Sequence, residues 1–229
     1  MSSGALIVGA GSGLSAALAR ALSADGYKCL LAARNVAKLQ SLCDEIGASS
    51  FACDAAGSAD VERLFAHVDA AMGTPAVVIY NASARTRGPF TELDPTKVAE
   101  TLAVTAFGAF LVAQAAAKRM LAVKRGTILL TGASASVKGY AQSAPFAMGK
   151  FALRGLAQSM ARELAPQGIH VAHVVIDGGI RSASRSVPPE NPDSLLDPAA
   201  IADTYMHLVR QPRSAWSWEV EVRPWVERF

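Results

Sequence analysis

The residues best able to do chemistry lie near the start of the chain. Gly9-Ala10-Gly11-Ser12-Gly13 places three glycines in five positions, directly after the apolar run Ala5 to Val8 and just before Leu14, Ala17, Leu18, Ala21 and Leu22 at helical spacing. A strand that ends at such a turn and restarts as a helix presents backbone N–H groups at the positive end of the helix, with no bulky side chains to cover them. Gly9, Gly11, Ser12, Gly13 and Leu14 therefore form a candidate cradle for a pyrophosphate. Strand before and helix after give the cluster the context of a dinucleotide site.

The end of the second apolar run, Ala32-Ala33-Arg34-Asn35, refines the ligand. A carboxylate here would grip ribose hydroxyls, and none is present. Arg34 instead suits a ribose 2′-phosphate, which favours NADP(H) over NAD(H), the alternative being a solvated arginine at a strand end. Asp54, after the third strand, can accept a hydrogen bond from an adenine amino group or cap a turn. His170 and His173 stand three apart on one strand and so face opposite ways, which prevents joint ligation of a metal. Cys29, Cys43 and Cys53 are odd in number and lack C-x-x-C spacing, so they are expected to be buried thiols, with no disulfide framework or zinc site.

The elements that position these residues alternate. Apolar runs at Ala5–Val8, Cys29–Ala33, Phe51–Cys53, Ala76–Tyr80, Thr127–Thr131, Ile169–Ile176 and Trp218–Val222 are expected strands. Between them lie helical patterns: one capped by Asn35, one by Ser58, a long one from Asp94-Pro95 to about Val123, a second from Pro145 to about Leu164, and a last one started by Asp197-Pro198. Such alternation implies a doubly wound α/β sheet of about seven mainly parallel strands, with helices on both faces. Residues 1–229 are expected to form one domain, with the proline-rich stretch Val187 to Pro198 as the candidate mobile segment.

Composition narrows the partners. Half the residues are apolar, and the formal net charge of +3 is spread along the chain. This argues against nucleic acid or a membrane surface and for a small molecule. The apolar stretches are broken by charge or glycine short of the length that spans a bilayer, and no basic stretch precedes the N-terminal run, so a cytoplasmic protein is expected.

These features together resemble the classical short-chain dehydrogenase/reductase family over essentially the whole chain, including a Rossmann-like cofactor fold. Gly9-x-x-x-Gly13-x-Ser15 is similar to the family's glycine motif, Asn81-Ala82-Ser83 to its Asn-Ala-Gly segment, and Asp177-Gly178 to its Pro-Gly segment. The resemblance implies that Asn81, Ala82, Gly178, Ile180 and Ser182 touch the cofactor, with Ser182 on the nicotinamide carboxamide. It also implies that Lys150 holds the nicotinamide ribose. The family's catalytic tyrosine, serine and asparagine fall on Phe146, Ala133 and Thr105, so only the lysine is retained, as in a divergent subgroup with phenylalanine for tyrosine. A phenyl ring and a methyl group cannot protonate or hydrogen-bond the alkoxide that hydride transfer creates.

Substitutes are available in Ser134, one residue from the missing serine; in Tyr140, in the loop before the long helix; and in Lys150 itself, were burial to lower its pKa. Arg85 and Arg87, which the resemblance places near the pocket mouth, admit an anionic substrate or plain solvated charge. Two functions are consistent with this pattern: an NADP(H)-dependent oxidoreductase acting on a carbonyl or alcohol with an atypical proton donor, or a catalytically inactive cofactor-binding protein serving as sensor or partner subunit. The family's pairing of long helices implies a homodimer or homotetramer.

Overall fold

In a computed structural model, residues 3–182 and 185–227 are described, and their strands form one seven-stranded sheet of order β3-β2-β1-β4-β5-β6-β9. The strands are β1 (Gly4–Val8), β2 (Lys28–Ala33), β3 (Ser49–Ala52), β4 (Val77–Tyr80), β5 (Gly126–Thr131), β6 (Ile169–Ile176) and β9 (Glu219–Val222). All pair in parallel, β9 included. The order reverses between β1 and β4, so a crevice opens at the carboxyl ends of the strands where ligands of such sheets bind. Every residue of β1, β4 and β6 is buried, as expected of strands covered on both faces.

Two apolar layers cover the sheet. On one side α1 (Leu14–Ala24), α2 (Gln40–Ile46) and α7 (Pro198–Arg210) bury Leu18, Leu22, Leu42 and Tyr205 against it. On the other, α3 (Ser58–Met72), α5 (Gly108–Val123) and α6 (Ala144–Leu164) bury Phe65, Val112, Met120 and Leu153. The side chains of Asn35, Asp94 and Asp197 accept hydrogen bonds from the N–H groups of Ala37, Thr96 and Ala199, so all three act as caps. Ser58 does not: it is the first residue of α3, and Gly57 is the cap.

The long helix begun by Pro95 is interrupted. After α4 (Pro95–Leu102), residues Ala103–Phe107 form a π-helical turn before α5 continues. One extra residue per turn rotates Thr105 into the interior, where it is buried. Together, residues 95–123 are long and apolar enough to cross a membrane, contrary to the expectation from the sequence, but Ala109, Val112, Ala113, Ala116 and Met120 pack in the core against the sheet. A second departure is a small parallel sheet of β7 (Gly179–Ile180) and β8 (Leu195–Leu196), which pins both ends of the loop after β6.

Candidate active site

The glycine turn differs at its three glycines. Gly9 has φ +86°, and a Cβ there would lie 2.3 Å from the Ala82 nitrogen, so glycine is needed by the fold itself. A Cβ on Gly11 or Gly13 would meet nothing within 4 Å. The protein has no internal need for glycine at those two positions; their bare backbone leaves room for a ligand. Gly13 caps α1 without a side-chain hydrogen bond, and no acidic residue sits in the first turn, so the positive helix end remains open to an anion. Ser15, where family helices carry glycine, is buried and donates its hydroxyl to the Gly9 carbonyl at 3.0 Å while accepting from Asn81 Nδ2 at 2.7 Å. It fastens the turn to the end of β4, and sequence reading missed it because its partners lie 6 and 66 residues away.

Three cavities border this turn: one of about 600 Å³ lies between Ser12, Gly13 and the start of α7, and the other two lie at the carboxyl ends of the strands. The smaller, about 270 Å³, is lined by Gly9, Arg34, Asn35, Lys38, Asp54 and Ala82, among others. Arg34 and Lys38 are exposed at its rim, so a 2′-phosphate there would meet two cations; Lys38 was not singled out from sequence. The Asp54 carboxylate accepts from the Ala56 N–H at 3.1 Å, closing a turn at the cavity wall. The larger of the two cavities at the strand ends, about 480 Å³, is lined by Gly13, Asn81, Phe146, Lys150, Gly178 and Ile180, with Leu14 and Ser182 also on its wall. Gly9 faces one cavity and Gly13 the other, so a molecule with an adenosine in the first and a nicotinamide in the second would place its pyrophosphate over the open glycines. The residues present therefore fit a dinucleotide.

Lys150 dominates the larger cavity. It is 3% exposed, and its Nζ donates to the Thr131 carbonyl at 2.7 Å. Burial, helped by the charge of Arg85, brings its pKa down to about 7. Beside it stands Phe146, 5.8 Å from Nζ to ring centroid, where the family pattern has tyrosine. Ala133 also lines the wall, so neither position supplies a hydroxyl.

The other proposed proton donors are directed elsewhere. Ser134 is not part of the cavity wall; its hydroxyl hydrogen-bonds Asp177. Burial raises the pKa of the Asp177 carboxyl, but hydrogen bonds from Ser134 and from Lys138, at 3.3 Å, outweigh this and hold it below its usual value. Tyr140 is 46% exposed, outside the cavity, and hydrogen-bonds Lys138. Thr105 does not face the substrate space: its hydroxyl accepts from the Ala84 N–H at 3.2 Å, and its side chain packs under Gly149. Ser182 lines the cavity and pairs through its backbone with Arg185.

Beneath α6, between the end of β5 and β9, lies a polar chain that sequence reading did not assemble. His173 Nδ1 is 3.0 Å from Glu219, His173 Nε2 is 3.3 Å from Ser136 Oγ, and Ser136 Oγ accepts from the Ala133 N–H at 3.1 Å. Arg154 forks onto both Glu219 oxygens at 2.6 and 2.7 Å. Burial lowers the His173 pKa to about 4 despite the nearby carboxylate, so the ring is neutral at pH 7 and carries one proton between its two partners. Ser136 and His173 have no exposed surface, so this is a support for the strand end and not a nucleophile. His170, on the other face, bonds the Ser217 carbonyl and stacks on Trp216. No group of histidine, cysteine and carboxylate side chains able to hold a metal occurs among the described residues, and the three cysteines are free and buried.

Comparison with known proteins gives concordant results. The description of the short chain dehydrogenase family matches residues 3–188. D-threitol dehydrogenase of Mycolicibacterium smegmatis is 30% identical over 172 residues, covering 73% of this chain and 66% of that one, just under two thirds of the relative's length. A crystal structure of a short-chain dehydrogenase from Rhodopseudomonas palustris is 34% identical, covers 97% of this chain and 99% of its own, and superposes with a TM-score of 0.84. A metagenomic short-chain oxidoreductase crystallised with NADP is 31% identical, covers 97% of each chain, and superposes with a TM-score of 0.86.

Proposed function

Because the chain belongs to the short chain dehydrogenase family, we propose that it is an NADP(H)-dependent oxidoreductase of carbonyls or alcohols in which Lys150 takes over the proton transfer that the family gives to tyrosine. One observation carries this reading: among the described residues, the titratable group on the cavity wall brought near neutrality is the Lys150 ammonium, buried beside Phe146 with a pKa of about 7. When bound, the nicotinamide supplies or accepts the hydride. In the reducing direction the Lys150 ammonium gives its proton to the substrate oxygen as the C–H bond forms, and the resulting amine regains a proton from water. In oxidation the Lys150 amine removes the hydroxyl proton. A group whose pKa lies near the working pH is well suited to both directions.

The chain's other residues orient the reactants. Thr131 fixes the Lys150 ammonium through its carbonyl, Gly13 and the open end of α1 face the pyrophosphate, and Arg34 with Lys38 meets the 2′-phosphate. The site is that of a subgroup with phenylalanine for tyrosine, and we place the protein in the cytoplasm. We further propose a homo-oligomer built on the face where Phe107, Phe110, Met148 and Phe151 are exposed, because large apolar groups clustered on one face favour burial. Ala152 and Gly155 share that exposed surface, whereas Ala113, Ala116, Ala117 and Ala157 are consumed by the core.

The test is NADPH oxidation followed across a panel of aldehydes and ketones, with polyols and NADP⁺ for the reverse direction. Turnover above buffer that disappears in Lys150→Met is the expected result. Binding of NADPH without turnover of any compound would leave a cofactor-binding protein and reject the enzyme.

A further inference from the structure

The larger strand-end cavity holds more positive charge than proton transfer requires. Arg85, from the loop after β4, and Arg181 and Arg185, from the loop between β7 and β8, reach the same wall as Lys150, and no aspartate or glutamate lines it. Arg181 is matched by Asp197 at 2.6 Å. Arg85 and Arg185 meet no carboxylate among the described residues, whereas Arg20, Arg119, Arg154 and Arg210 each do.

Arg85 is also held in place. Thr105 anchors the backbone next to it through the Ala84 N–H, and its guanidinium carbon lies 4.0 Å from the centroid of the Phe146 ring. A flat cation on an aromatic face is stabilised by the ring quadrupole, and phenylalanine offers that face without a competing hydroxyl. Partial burial and the charges of Arg87 and Arg185 lower the pKa of Arg85, and Arg85 in turn lowers that of Lys150. The cations repel one another across a wall that carries no acidic side chain.

We propose that this cavity takes a carbonyl or alcohol substrate bearing a carboxylate or phosphate, which Arg85 and Arg185 grip while the reacting oxygen faces Lys150. The proposal rests on the oxidoreductase reading above. It assigns the π-helical turn a purpose: by turning Thr105 inward it positions Arg85, so Thr105 is a positioning residue for substrate recognition.

The test is calorimetric titration of the NADP⁺-loaded protein with two matched pairs: levulinate against methyl levulinate, and dihydroxyacetone phosphate against dihydroxyacetone. The anionic member should bind at least about tenfold more tightly than its neutral partner, which corresponds to about 1.4 kcal/mol. The pair that responds identifies carboxylate or phosphate as the anchor. Arg85→Ala and Arg185→Ala should each weaken the anion about tenfold, Arg85→Lys should recover part of the loss, and NADPH affinity should hold in all three. Equal binding of neutral and anionic members, or no anion binding at all, overturns the proposal. So does a loss of NADPH affinity with anion binding intact, which would assign the arginines to the cofactor's phosphates. If the protein binds no nicotinamide nucleotide, the oxidoreductase reading fails, and the same titrations on the nucleotide-free protein still decide the anion site.

Discussion

Two neighbouring regions beneath α6, both at the carboxyl end of β5, treat charge in opposite ways. Towards β9, Glu219 is answered by Arg154 and His173, and His173 by Ser136, so each of these side chains finds a partner. On the cavity wall, Lys150 is buried with a single carbonyl partner, and the exposed Arg85 and Arg185 share that wall with no carboxylate partner among the described residues. Matched buried charge fixes a structure; unmatched buried charge costs stability and persists where something outside the chain completes it. The contrast separates the cavity wall, where the chemistry lies, from the mechanical support next to it on the same face of the sheet.

Substituting Lys150 should give the largest effect. Lys150→Met should lower turnover by about 10² to 10⁴, the usual worth of a positioned acid. The same change should raise stability, because the buried ammonium is destabilising. The sign follows from the folded pKa of about 7 against an unfolded value near 10.5: between those limits the unfolded chain binds the extra proton, so stability of the wild type rises with pH. The melting-temperature advantage of Lys150→Met should therefore be greatest at and below pH 7 and shrink towards nothing by about pH 10.5. A variant that loses both activity and stability would show that Lys150 belongs to the supporting network instead.

Next in size is Arg34→Ala. Losing a charge-assisted phosphate contact of about 1.5–3 kcal/mol should weaken NADPH about 10- to 100-fold and leave NADH unchanged, as read by nucleotide fluorescence. Equal loss for both nucleotides would contradict a 2′-phosphate role.

Glu219→Ala probes the matched side. It leaves Arg154 and His173 facing each other without their anion and should destabilise the fold by about 1–3 kcal/mol in denaturant unfolding, with cofactor affinity little changed. The smallest effect is acid sensitivity. His173 has a folded pKa of about 4, below the ordinary 6.5, so the stability tied to its neutral form is complete above pH 6.5 and lost as pH falls towards 4. His173→Gln should flatten that part of the stability profile.

How much of this was legible in the sequence depended on range. The strands and helices emerged within a residue or two because periodicity and caps such as Asn35, Asp94 and Asp197 are local signals. The strand–turn–helix context of Gly9 to Leu14, and the place of Arg34 just after β2, were legible for the same reason. The small β7–β8 sheet was not, since two residues carry no period, and the π turn hides inside an uninterrupted helical pattern. Ser134 was the reasonable substitute from position alone, but Asp177, 43 places on, claims it. The cationic wall joins Arg85 to Arg181 and Arg185 across about a hundred residues, and only the sheet's topology makes them neighbours.

The most direct test of the account is a fluorescence titration of the purified protein with NADPH and NADH in parallel. The open glycines, Arg34 and Lys150 predict saturable binding in the micromolar range with NADPH the tighter ligand. Failure of both nucleotides to bind would contradict it, because the cavities flanking the glycine turn would then serve some other molecule.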